Sequence, residues 1–343
     1  MIAERLTAQL LAGEPARDPL AVAERLLAIQ GQDPRGARLA IRARTAGLSA
    51  GDVDRLLNER LLLITWLNRG TLHMVQSEDY HWLHTLTAPT LLTANARRLA
   101  QEGLPPDAAT RGVGVIERAL AAEGPLTRHQ LRERLTTAGV RTEGQALVHL
   151  LALASLRGLI VRGPLREGHH AFVLVRDRLG PPPSPVERPR ALAELARRYL
   201  LAHAPADERD LAKWAGLPLR DIRSGLHAIA PLLAPRADGL LRLSGRPPAA
   251  PMPPPRLLGA FDPLLLGWRS REAILGPHRS IVTVNGLFRP FALVRGRAAA
   301  TWSMTRGEVV LEPLVRLTRR DTAALAADAQ DVVRYLAGGV TGA

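Results

Sequence analysis

The feature that most constrains this chain is an order of segments that occurs twice. Between residues 113 and 175, "VGVIERALAAEG", "PLTRHQLRERLTTAG" and "TEGQALVHLLALASLRG" place apolar residues at helical spacing. "LIVRG" and "HAFVLV" then alternate as two short strands around the basic tip "PLREGHH". Between 191 and 245 the order returns: "ALAELARRYLLAH", "ADERDLAKWAG" and "LPLRDIRSGLHAIA", then two strands turning at Asp238-Gly239 in "APRADGLLRLSG". Three helices followed by a two-stranded ribbon is the winged-helix order. Its return with matching lengths is far stronger than one occurrence. Local signals agree: Thr127 caps a second helix, Thr142 with Gln145 reads as a capping box for a third, and Asp207 and Gly216 bracket another.

Two proline-rich stretches, "GPPPSPVERP" at 180–189 and "RPPAAPMPPPR" at 246–256, continue neither helix nor sheet and act as spacers. They suggest units at 1–104, 105–180, 188–246 and 256–343. In the first, several helices lead to "ITWLNRGTLHMV", a strand pair around Asn68-Arg69-Gly70, and then to a Ser77-capped helix "EDYHWLHTL". It reads as a third, elaborated winged helix. In the last, "SIVTV", "PFALVRG", "AAATWSM" and "EVVLEPL" are short strands, followed by the helix "DTAALAADAQDVVRYLAG". The expected fold class is mainly α with α+β character, tandem winged helices preceding a small β-rich, barrel-like domain.

The formal net charge is +14, carried almost wholly by arginine, since Lys213 is the one lysine. Scarcity of lysine reflects genomic base composition, but the net excess does not, because Asp and Glu could have balanced it. A basic chain of this kind suits a polyanion, most often nucleic acid, with a solvated charged surface as the competing reading. No cysteine is present, so disulfides and thiolate metal sites are excluded. Apolar runs such as "LLLITWL" are too short to cross a bilayer, and no signal-peptide pattern opens the chain. A cytoplasmic protein with no membrane partner is expected, and without a heptad seam it is expected to be a monomer.

A winged helix usually lays its third helix in the major groove. "QALVHLLALASL" is almost wholly apolar and suits burial, and the corresponding helix downstream offers only Arg220 and Arg223. These units therefore suit packing modules around a basic concave surface better than base readers. His81 and His84, with His73 upstream, could suggest a metal, but a helix shared with Trp82 and Leu83 makes them packing or surface residues. No metal or cofactor is expected.

Three stretches together, "LLAIQGQDPRGARLAIRAR", "WLNRGTLHMVQSEDYHWL" and "LLGAFDPLLLGWRSREAIL", resemble the AlkZ-like winged-helix DNA glycosylase family, in order over essentially the whole chain. The resemblance implies excision of alkylated, N7-substituted purines from double-stranded DNA, including bulky adducts and, in some members, interstrand crosslinks. It places the family's Gln, bulky apolar, Gln motif on Gln30, Gly31 and Gln32. Gly31 departs from the pattern, and a glycine there aims the two amides less rigidly. An N7-alkylated base is already cationic and departs without an acid, leaving the enzyme to orient a water. A Gln carbonyl accepts a hydrogen bond from water and sets its direction.

Read without the resemblance, the same residues form a helix stop at Gly31, then Asp33 as N-cap and Pro34 at the first helical position. Asp33 and Asp262 are candidates to stabilise the sugar cation, Asp33 competing with its capping role and Asp262, before Pro263, with an Asx-turn. Arg35, Arg69 and His73 in the matching stretches, and Arg269 and Arg271 just after Trp268, are candidate DNA contacts. A glycosylase with lyase activity needs an amine, and Lys213 is the one side-chain candidate, so a monofunctional enzyme is expected. The alternative from another class is a non-catalytic winged-helix DNA-binding protein or transcriptional regulator.

Overall fold

The computed structural model describes every residue except 284 and 340–343. The chain opens with helices α1 (Ile2–Ala8) and α2 (Pro19–Leu26), the two-residue strand β1 (Ile29–Gln30), and helices α3 (Pro34–Arg42) and α4 (Ala50–Asn58). One device opens both α2 and α3. Asp18 and Asp33 accept from the backbone N–H of Ala21 and Arg35, and the following proline fills a position whose N–H would have no partner. The hairpin β2 (Leu62–Leu67) and β3 (Thr71–Gln76) turns at Asn68-Arg69-Gly70 and leads to the long helix α5 (Tyr80–Gln101). Ser77 does not cap that helix. Residues Ser77–Asp79 form a 3-10 turn, and the Ser77 hydroxyl donates instead to the Arg60 carbonyl at 2.5 Å.

Next come α6 (Pro106–Glu123), β4 (Leu126–Thr127), α7 (Arg128–Thr137), α8 (Ala146–Leu156), the hairpin β5 (Ile160–Arg166) and β6 (His169–Leu174), and the short α9 (Val175–Leu179). Thr127 and Gln130 make a reciprocal capping box on α7. Thr142 and Gln145 do not make one. Helix α8 starts only at Ala146, the Thr142 hydroxyl lies 3.3 Å from that of Thr136, and the Gln145 N–H donates to Glu102 at 2.9 Å. As its composition required, α8 is buried along nearly its full length.

The third stretch contains α10 (Arg188–His203), α11 (Glu208–Ala215), α12 (Leu219–Ala228) and a minimal ribbon, β7 (Leu233–Ala234) with β8 (Arg242–Leu243). The last contains β9 (Arg256–Leu258), α13 (Glu272–Leu275), β10 (Phe291–Val294), β11 (Arg297–Thr305), β12 (Glu308–Pro313) and α14 (Arg319–Ala337). The strand expected at 280–284 is instead a 3-10 turn, Arg279–Ile281, and a single bridge from Val282 to Phe288; residue 284 lies outside the described residues.

Two sheets organise these elements, and the protein is about half helix and 18% strand. An antiparallel sheet of six strands runs β1-β3-β2-β5-β6-β4. It joins the N-terminal hairpin to the β5–β6 hairpin through one pairing, Ile64 opposite Arg162, so it runs without a break past residue 104. The C-terminal sheet runs β12-β11-β10-β9 and stays open, with β12 and β9 as edges. The barrel-like expectation is thereby corrected: four strands are too few to close around a filled interior, and α14 covers the sheet instead, packing Leu325 and Val332 on Leu257, Ala300 and Trp302. A single core cluster contains Leu6, Leu67, Val161, Tyr199 and Phe291, so all four stretches share one interior.

Candidate nucleic-acid interface

The interval from the end of β1 to the start of α3 holds Gln30, Gly31, Gln32 and Asp33. Gln30 sits in the sheet opposite His73 of β3 and is 6% exposed, whereas Gln32, just past the strand, is exposed. Their amides meet: Gln30 Nε2 donates to Gln32 Oε1 at 2.6 Å. That bond leaves Gln30 Oε1 sealed from solvent and without a hydrogen-bond partner. A buried acceptor without a donor costs about 1–3 kcal/mol, and an amide carbonyl of this kind is chemically suited to the O–H of a water.

Gly31 does not loosen the pair. It is buried, and its N–H donates to the Leu72 carbonyl at 2.7 Å. A Cβ at this position would lie 3.3 Å from Ile64 Cγ2, tighter than ordinary contact, so glycine lets the chain lie close on the sheet. One turn into α3, Gly36 meets the backbone of Gly259 and Ala260, and a Cβ at 36 would overlap the Ala260 carbonyl oxygen. The start of α3 is thus pinned against the segment following β9. At its far end Arg42 pairs with Asp328 and Asp331 of α14, and the Tyr335 hydroxyl donates to the Arg38 carbonyl at 2.9 Å.

Next to this junction in sequence, a cleft of about 750 Å³ lies between α3, the start of α7, the β5–β6 hairpin, the β11–β12 turn and the end of α14. Pro34 and Arg35 line it, whereas Gln30, Gln32 and Asp33 are not among its lining residues. Five arginines line it: Arg35 and Arg38 on α3, Arg128 and Arg132 on α7, and Arg162 on β5. His129, His169 and His170 join them, and among the described lining residues there is no carboxylate. Residues of the first turns of α3 and α7 line this space, placing the positive ends of two helix dipoles near it. Among the described residues, Arg38 is the one lining arginine with an ion pair, made with Asp54 of α4. Such a surface suits a polyanion whose phosphates run along it.

The expected site residues separate into two groups. Gln30, Gln32, Asp33 and Arg35 lie together, with Asp33 half-buried and its Oδ1 accepting from the Arg35 N–H at 3.0 Å in the capping role. Asp262 lies apart from them, in the core. It and Arg44 are both 0% exposed, its two oxygens each accept from Arg44 at 2.9 Å, and Oδ1 also accepts from the Leu264 N–H. Its charge is compensated inside the core by Arg44, and Asp262 is not among the residues lining the cleft.

Arg69, Arg269 and Arg271 are not among the residues lining the cleft. Arg69 donates to the Trp214 carbonyl at 2.6 Å, and burial followed by repulsion from Arg271 pushes its guanidinium down to about 10. Arg269 pairs with Asp207 at 3.0 Å. Arg271 donates to the Leu265 carbonyl and lies over Phe288. His73 is 2% exposed, and burial, then Arg69, push it down to about 3, so at neutral pH it is an uncharged imidazole bonded to the Thr71 carbonyl. An uncharged ring is a weak partner for phosphate. His84 bonds the Ser155 carbonyl, and no group of residues able to hold a metal occurs among the described residues.

Sequence reasoning missed Arg38, Arg128, Arg132 and Arg162. The signal for two of them was available: Arg128 and Arg132 stand four apart on the helix opened by Thr127, on one face. His169 and His170 fall in the basic tip already singled out.

Comparison with known proteins agrees in sequence and in shape. A family model described as DNA glycosylase AlkZ-like matches residues 23–335. An interstrand DNA cross-link repair glycosylase of Streptomyces sahachiroi is 26% identical over 360 positions, covering 97% of this chain and 95% of its own length. The solved structure of Streptomyces sahachiroi DNA glycosylase AlkZ is similar with a TM-score of 0.79 at 23% identity, over 97% of this chain and 95% of that one.

Proposed function

The chain belongs to the AlkZ-like DNA glycosylase family, and from that membership we propose that it hydrolyses the N-glycosidic bond of N7-alkylated purines in double-stranded DNA. The carrying observation is the Gln30–Gln32 pair beside the basic cleft. Gln30 Oε1 is an unpartnered carbonyl oxygen, and Gln32 holds the Gln30 amide in place through the 2.6 Å bond. In this reading the sealed pair opens as the damaged nucleotide enters, and a water then donates one O–H to Gln30 Oε1 with its oxygen turned toward the anomeric carbon. The Gln32 carbonyl keeps a second lone pair for the same water. The N7-alkylated base leaves as a neutral molecule, taking the bonding electrons, so no general acid is needed; the water oxygen bonds to the anomeric carbon and its surplus proton passes to solvent. Positioning of this kind supplies orders of magnitude in rate without a titrating base.

The helix-helix-helix-hairpin stretches are read as winged helices acting as packing modules that shape the cleft. Burial of α8 and the pairing of Arg223 of α12 with Glu208 support that role over base reading and count against a regulator. Bulky adducts and interstrand crosslinks fall within the proposal because of what the Streptomyces relative is named for. Monofunctional chemistry is supported by Lys213, which is exposed on α11 and is not among the lining residues of the cleft. The proposed species is a monomer in the cytoplasm.

Incubation with methylated duplex and chromatography of the soluble fraction tests the reading. Free 7-methylguanine is expected, with strands that break only on later heating in alkali and no covalent adduct after borohydride reduction. A borohydride-trapped adduct would refute monofunctional chemistry. Absence of release from both methylated and crosslinked duplex would refute the glycosylase reading.

A further inference from the structure

The sheet wall of the cleft holds a cation that makes no ion pair among the described residues. Arg162 pairs in register with Ile64 and Phe172, and its guanidinium lies 5.3 Å from the Phe172 ring centroid. Its Nε is sealed from solvent and has no hydrogen-bond partner. Arg128, of like sign at the start of α7, repels it. Nearby, His170 Nε2 lies 3.2 Å from Arg38 Nη2, and its Nδ1 is also buried without a partner. Arg38 spends its charge on Asp54, so Arg162 and Arg128 remain unbalanced. The strain shows in the titration of the neighbours: burial and then Arg128 push Arg162 down to about 10, while burial and then Arg38 and Arg162 push His170 down to about 3.

Taking a cation out of water without a partner opposes folding. The Phe172 face gives the half-buried guanidinium a cation–π contact but no hydrogen bond for its sealed Nε. The arrangement gains when an anion arrives, and a planar guanidinium beside a second arginine matches the paired oxygens of a phosphodiester. We propose that Arg162, supported by Arg128, is an anchoring site for one backbone phosphate of DNA, held ready at the expense of stability in the free protein. The inference rests on reading the cleft as the path of the DNA and adds the point at which the duplex is gripped.

Two measurements on the full chain test it, neither of which uses base release. In fluorescence anisotropy with an undamaged duplex, Arg162→Gln is expected to weaken binding about 5- to 10-fold at low salt, and to reduce the slope of log K against log salt by about 1. The charge-matched control Arg316→Gln, on an exposed residue that does not line the cleft, is expected to keep the natural slope. In thermal melts without DNA, Arg162→Met is expected to melt at or above the natural protein. Equal slopes for Arg162→Gln and Arg316→Gln would overturn the inference, as would an Arg162→Met that melts several degrees lower, which marks a structural arginine. If the natural protein itself does not bind duplex, the reading of the cleft fails with it, an outcome distinct from the other two.

Discussion

At Gln30 a backbone position and a side-chain chemistry coincide. The strand pairing with His73 fixes where the amide stands, and the bond to Gln32 fixes which way it turns. The two amides and the Asp33-Pro34 helix start were legible because both are local patterns within four residues. The fate of Asp262 was not, because its partner Arg44 lies 218 positions away. Breaking a buried ion pair by deleting one member leaves an uncompensated charge. Asp262→Ala is therefore expected to lower the unfolding free energy by about 3–5 kcal/mol in urea titrations. The fraction that remains folded is expected to release base at the natural rate, and a stable variant with lost activity would return Asp262 to the sugar cation.

Elements that announce themselves through neighbours in sequence were readable, and those stabilised from afar were not. Thr127, Asp207 and Gly216 end or begin helices as their types require, each with a partner within four residues. Ser77 and Thr142 had the same chemistry but are drawn to Arg60 and Thr136 instead, and Gln145 to Glu102. The seating of α3 depends on a contact of the unreadable kind, Gly36 against the backbone of Gly259 and Ala260. Backbone cannot yield there as a side-chain tip would. Gly36→Ala is expected to cost about 1–3 kcal/mol and to slow base release by shifting Gln32, with urea unfolding and single-turnover release as the readouts. Natural stability and rate in that variant would show that α3 is seated by other contacts.

At the scale of the molecule, net charge pointed to a polyanion, but the face that meets it was hidden. The cleft draws its arginines from α3, α7 and β5, elements far apart in sequence that are brought together by long-range contacts such as the β2–β5 pairing and the approach of Arg38 to His170. The same burial that builds the core sets the response to acid. His73, His170 and His203 lie in three different stretches, and burial, the largest cause at each, pushes all three down to about 3. In the unfolded chain they titrate near 6.5, so the unfolded state binds more protons between these values. Their contribution is present in full above pH 6.5 and is lost progressively as pH falls toward 3, by up to about 1.4 kcal/mol per pH unit for each imidazole. Urea midpoints measured from pH 7.5 to 5 are expected to fall steadily, and a flat profile would contradict neutral, buried imidazoles.

The most direct test of the central claim is single-turnover release of 7-methylguanine from methylated duplex by the natural protein and by Gln30→Ala, with enzyme in excess. The account predicts release by the natural protein and a rate at least about 100-fold lower for Gln30→Ala, with affinity for undamaged duplex unchanged. Equal rates for the two would contradict the assignment of the water to the Gln30 carbonyl.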